Sequence, residues 1–141
     1  MNTILIIAHA PLAHALRTCA LHVFPDCDAD VAAIDVQPNL PPEETLAMAR
    51  IAMDQLVRPR PGSGVLVLTD IFGATPGNVV SRMLQDGRIE GVSGVSLPML
   101  LRVLSSRNGA SKDALGAAVL RAVSGGAEGV VHMNNDRCLD A

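Results

Sequence analysis

Four short strand-like runs, the first of them continuously apolar and each followed by a stretch with helical periodicity, constrain this 141-residue chain more than any other feature of it. The runs are Thr3 to Ala8, Val31 to Val36, Val65 to Thr69 and Gly91 to Val95. A strand that is apolar at nearly every position is covered on both faces, the situation of a parallel sheet between layers of helices. After the first run, Leu12, Leu16, Cys19, Ala20 and Val23 recur at helical spacing, with Pro11 opening the helix and Pro25 closing it. Leu46, Ala49, Met53, Leu56 and Val57 do the same after Pro38 to Pro42, and Pro59 to Gly64 reads as a loop.

Thr75-Pro76-Gly77-Asn78 ahead of Val79, Val80, Met83 and Leu84 predicts a third helix, with Thr75 as N-cap, Pro76 at the first helical position and Gly87 as the stop. Pro98 begins a fourth helix that Asn108-Gly109 breaks, and Ser111 caps a fifth that Gly125-Gly126 ends. Val130 to Met133 is expected as a short last strand, and 134–141 as a frayed tail. The sum is one small doubly wound α/β domain over residues 1–141. Its mostly parallel sheet takes the flavodoxin-like order 2-1-3-4 plus the last strand, with helices on both faces.

Composition narrows the function. A net charge of −3 gives no broad positive field for a nucleic-acid backbone or an anionic membrane. Phe24 and Phe72 are the only aromatic residues, so stacking platforms for single strands are missing as well. Cys19, Cys27 and Cys138 are odd in number and widely spaced, which fits a reducing compartment better than a disulfide framework. The apolar stretch from Ile4 is too short for a signal or membrane segment, and a cytoplasmic location is expected.

In doubly wound sheets ligands bind beyond the carboxyl ends of the strands where the strand order reverses, here between the first and third strands. His9 and Asp70 stand at those two ends. A carboxylate that takes the hydrogen bond of one imidazole nitrogen fixes the tautomer and leaves the other nitrogen basic, as a nucleophilic histidine requires. Thr75 and the backbone N–H groups of Gly77 and Asn78, at the start of a helix, offer an anion site nearby. Each part has an ordinary structural explanation: a strand-end histidine, a loop aspartate, a helix cap. Their convergence carries the reading. Leu12, Phe72, Pro98 and Met99 are candidates for an apolar docking rim, with plain core packing an equal alternative for Leu12 and Met99. No Walker-type loop, no Gly-x-Gly-x-x-Gly after the first strand and no acidic cluster there support nucleotide or magnesium chemistry, and too few ligands converge for zinc.

These residues resemble the mannose-type IIA components of the bacterial phosphoenolpyruvate-dependent sugar phosphotransferase system (PTS). Ile4-Leu-Ile-Ile-Ala-His-Ala-Pro-Leu-Ala13 is similar to the family's first strand and its phosphorylated histidine. Leu68-Thr-Asp-Ile-Phe-Gly-Ala-Thr-Pro-Gly-Asn78 resembles its second motif and Gly94-Val-Ser-Leu-Pro-Met-Leu100 its third. The resemblance implies that His9 takes a phosphoryl group from the phosphocarrier HPr at Nε2 and passes it to a IIB domain. It also implies that Asp70 orients the ring and Thr75 binds the phosphoryl oxygens. No metal and no cofactor are implied, and a homodimer that can exchange its last strand is. A regulatory sensor switched by phosphorylation of the same histidine remains the alternative, because both roles need one phosphoacceptor. A receiver domain phosphorylated on Asp70 would want paired acids after the first strand and a lysine near the last, and Lys112 is the only lysine. A Thr75–His9–Asp70 hydrolase lacks an oxyanion motif. The chain departs from the family's pattern at Ala10-Pro11, where Gly usually follows the histidine, at Ala74 for the second Gly of the turn, and at Ser96 for Asn. Ala74 is expected to strain the turn if its backbone needs a positive φ.

Overall fold

The computed structural model describes residues 2–107 and 114–136. In chain order these form β1 (Thr3–His9), α1 (Leu12–Val23), a 3-10 turn (Pro25–Cys27), β2 (Val31–Val36), α2 (Pro42–Val57) and β3 (Val65–Thr69). α3 (Thr75–Ser81), β4 (Ile89–Val92), α4 (Leu97–Ser105), α5 (Ala114–Glu128) and α6 (Met133–Asp136) follow. The four strands make one parallel sheet in the order β2-β1-β3-β4.

Alternation along the central strands builds two cores, because successive side chains leave a strand on opposite faces. Ile4, Ile6 and Ala8 of β1, with Leu66 and Leu68 of β3, pack on Leu16 and Ala20 of α1, Leu100 and Leu104 of α4 and Ala118 and Ala122 of α5. Leu5 and Ile7, with Val65 and Val67, pack on Leu46 and Ala49 of α2 and Val79 and Val80 of α3. Both faces of β1 and β3 are thus dry, as their unbroken apolar runs demand.

Several expected boundaries move. Val130 to Met133 does not form a strand: Val130 and Val131 are exposed, and Met133 opens α6. A strand needs a neighbouring edge to take up its backbone hydrogen bonds, and among the described residues this segment pairs with none of the four strands. Residues 134–136, assigned to the tail, belong to α6, while 137–141, the Asn108-Gly109 break and the Ser111 cap lie outside the described residues. Gly125 and Gly126 do not end α5. Cβ atoms there would meet Arg102 Cβ at 3.1 Å and Met99 Cε at 2.9 Å, so the two glycines let α5 lie close against α4. The fourth strand starts at Ile89 and ends at Val92, and α3 ends at Ser81, well before Gly87. Leu12, Cys19 and Val23, expected on the buried stripe of α1, are exposed; Ala13, Leu16 and Ala20 form it.

At the amino ends of the strands, Asp30 receives Arg107 Nε at 2.9 Å and also pairs with Arg60. Arg107 further pairs with Asp26 at 2.9 Å and lies over the Phe24 ring. Burial disfavours the Arg107 charge, but the bonds from Asp30 and Asp26 outweigh it and raise the pKa further. This cluster ties the end of α4 to the entry of β2, at the opposite pole of the sheet from His9.

Candidate functional site

β1 and β3 are hydrogen-bonded neighbours with Ile7 opposite Thr69, so His9 and Asp70 emerge side by side. Asp70 Oδ2 lies 2.7 Å from His9 Nδ1 and accepts the His9 backbone N–H at 3.1 Å. Its Oδ1 accepts the Ile71 N–H at 3.0 Å. The Asp70 backbone is anchored as well, its carbonyl accepting the Gly94 N–H at 3.0 Å. Burial pushes the Asp70 carboxyl up, yet the bonds from the His9 ring, the His9 N–H and the Ile71 N–H together hold it below the usual carboxylate range. An ionised carboxylate only accepts, so the proton of a neutral His9 ring sits on Nδ1 and the Nε2 lone pair is free. The His9 side chain is 51% exposed and that of Asp70 11%, which leaves the ring accessible and its partner sheltered.

A cavity of about 420 Å³ opens beside the ring, lined by His9, Ala10, Val36, Gln37, Pro38, Leu40, Pro42 and Thr75. Thr75 therefore reaches the same space as His9, as expected. It does so as the first residue of α3; the N-cap is Ala74, with no side-chain cap, and Pro76 is the second helical residue. The turn that leads into α3 is anchored at its start, where the Asp70 carbonyl accepts the Gly94 N–H. Asn78 is corrected more strongly. Its backbone N–H is spent on the Ala74 carbonyl at 2.9 Å and is not free for an anion. Gly77, one residue earlier, sits in the first turn, where helix geometry leaves N–H groups without a carbonyl. A Cβ on Gly77 would fall 2.7 Å from the Ile71 carbonyl oxygen, so glycine is needed for the turn to pass. The expected strain at Ala74 is absent: its φ is −94°, and Gly73 carries the positive φ of 88°.

Of the docking candidates, Leu12 and Phe72 are exposed, Phe72 at 80%. Pro98 is exposed by area but lies against the end of α5 at Gly129. Met99 is buried at 3% in the α1/α4/α5 core and lines no surface. The helical phase explains this: Ser96 Oγ caps α4 by accepting the Met99 N–H at 3.3 Å, and Met99 then falls on the inner stripe with Leu100 and Val103. Sequence reasoning missed Ile71, exposed beside Phe72, and the Gln37–Pro42 wall of the cavity. The strand order could have found that wall, since the loop after β2 must border the carboxyl end of β1. Among the described residues no three of His, Cys, Asp and Glu cluster as a metal site would need, and no helix is long and apolar enough to cross a membrane.

Fold and site together define a parallel α/β domain with an imidazole–carboxylate couple at its switch point. The family model for the PTS system fructose IIA component (EIIA-man) matches residues 3–120, and the chain belongs to that family. A fructose-specific EIIA component of Bacillus subtilis (strain 168) is 50% identical over 44 residues, a segment that spans 30% of this chain and 30% of that protein. The crystal structure of a phosphotransferase system component EIIA from Streptococcus agalactiae superposes with a TM-score of 0.77 at 25% identity, covering 96% of this chain and 99% of that one. A mannose/sorbose-specific IIA subunit from Enterococcus faecalis has the same fold, with a TM-score of 0.71 at 18% identity over 92% of each chain.

Proposed function

We propose that this chain is a phosphohistidine relay: His9 accepts a phosphoryl group from HPr and passes it to a IIB domain. The observation that carries the reading is the double hold of Asp70 Oδ2 on the His9 N–H and Nδ1. With Nδ1–H donating to Asp70, Nε2 attacks phosphorus in line. The N–P bond to the donor imidazole breaks as the bond to Nε2 forms, and the donor keeps the electron pair. The imidazolium that results on His9 is stabilised by the adjacent carboxylate. Thr75, on the wall shared with His9, supplies a hydrogen bond for the transferred oxygens. Leu12, Ile71 and Phe72 give the rim an apolar character suited to a protein donor and acceptor. Such a relay works beside a permease without crossing the membrane, and dimerises as its family resemblance implies.

Incubation with phosphoenolpyruvate, enzyme I and HPr tests this. Acid-labile, base-stable phosphate is expected on the wild type and none on His9→Ala. Labelling that survives in the variant would overturn the assignment of His9, and an unlabelled wild type would overturn the relay.

A further inference from the structure

α1 starts without a cap of its own. Its N-cap residue is Pro11, which makes no side-chain hydrogen bond, and no acidic residue stands in its first turn. The missing acceptor comes from the neighbouring strand: Asp35 Oδ1 accepts the backbone N–H of His14, in the first turn of α1, at 3.1 Å. The Asp35 side chain is only 19% exposed, and its backbone is fixed in the β1–β2 ladder opposite Ala8. The next carbonyl along β2, Val36, accepts the Ala10 N–H at 3.1 Å. Asp35 and Val36 therefore grip the chain on both sides of Pro11, immediately after His9.

The His14 ring adds little to this arrangement. Its Nδ1 is 3.5 Å from Asp35 Oδ2, and the side chain is 69% exposed. The bond that matters is to the backbone, so it does not depend on which side chain stands at residue 14.

We propose that Asp35 is a positioning residue for His9: by capping α1 from β2 it fixes the backbone that carries the imidazole, without touching the reacting group. The role rests on His9 being the phosphoacceptor. A reacting nitrogen displaced by about an ångström loses roughly two orders of magnitude in rate, so a distant anchor of this kind matters to transfer.

The full chain, charged from phosphorylated HPr in single turnovers, tests it. Asp35→Ala is expected to lower the rate at saturating donor at least about tenfold, with the half-saturating donor concentration unchanged. Asp35→Asn keeps an acceptor oxygen and is expected to retain most of the rate, and His14→Ala to retain all of it. The 15N shifts of the His9 ring should move in Asp35→Ala and stay in place in the other two. A folded Asp35→Ala with wild-type rate and unmoved shifts overturns the proposal. So does an Asp35→Asn or a His14→Ala that falls as far as Asp35→Ala. Should Asp35→Ala not fold, Asp35→Ser, whose shorter side chain stops short of the His14 N–H, is read in its place. The ring shifts report on positioning even if the wild type takes no phosphate, which separates failure here from failure of the relay.

Discussion

Asp70 Oδ2 holds His9 at two points, the backbone N–H at 3.1 Å and ring Nδ1 at 2.7 Å, across 61 residues of sequence. One oxygen thus sets both where the residue sits and which way its ring faces. The partner oxygen is engaged by the Ile71 N–H at 3.0 Å, so the carboxylate itself has little freedom to rotate.

Removing the charge while keeping the shape should separate orientation from electrostatics. Asp70→Asn is expected to slow phosphoryl acceptance from HPr by roughly 10- to 100-fold, because a neutral amide stabilises the imidazolium poorly and can favour the wrong tautomer. The fold should persist, since the site sits at the sheet rim. Stopped-flow or quenched transfer, alongside circular dichroism, checks both; a wild-type rate would remove Asp70 from the mechanism.

Acid titration gives an independent reading of the same contact. The folded pKa of Asp70 lies below its ordinary value. The ionised carboxylate therefore adds stability at neutral pH, and the contribution is lost as pH falls below about 4, through the folded pKa. The 13C carboxyl signal of Asp70 should titrate below the ordinary aspartate value in the wild type. It should move upward in His9→Ala, where burial persists but the ring bond is gone. A midpoint unaffected by His9→Ala would contradict the assigned cause.

Gly77→Ala should damage the turn beneath Thr75. The new methyl carbon would lie 2.7 Å from the Ile71 carbonyl oxygen, a backbone atom that can yield only if the 71–74 turn shifts. A cost of about 1–3 kcal/mol and slower transfer are expected. Thermal melting and phosphorylation kinetics measure them; an unchanged melting temperature would mean that the turn is softer than its contacts imply.

Asp30→Ala should act on stability alone. It strips Arg107, whose side chain is 6% exposed, of the more buried of its two carboxylate partners, leaving Asp26 and the Leu104 carbonyl. Leaving a buried charge uncompensated typically costs about 3–5 kcal/mol. Urea unfolding should register the loss, while transfer through His9, at the other pole of the sheet, stays near wild type under folding conditions. A loss below about 1 kcal/mol would indicate that Asp26 and water satisfy the guanidinium.

The strands were legible in the chain because a run apolar at every position, such as Ile4 to Ala8, has few alternatives to a covered parallel strand. Their order brought His9 and Asp70 together before any coordinate did. What escaped was whatever tertiary contact decides. Val130 to Met133 is apolar apart from His132, yet a strand needs an edge as well as a pattern. Gly125 and Gly126 read as a stop, because glycine that ends a helix and glycine that admits a neighbouring helix look alike in sequence. Met99 suited the core as well as a docking rim, and only the phase set by Ser96 shows that it turns inward. Asp30 and Arg107 are 77 residues apart and offer no local signal at all.

The separation of His9 from Asp70 along the chain bears on the life of the molecule. Until β1 and β3 lie side by side, residue 9 is an ordinary, freely tumbling imidazole. A nascent or partly melted copy therefore lacks the prepared nucleophile, and readiness to react doubles as a report that the sheet has assembled.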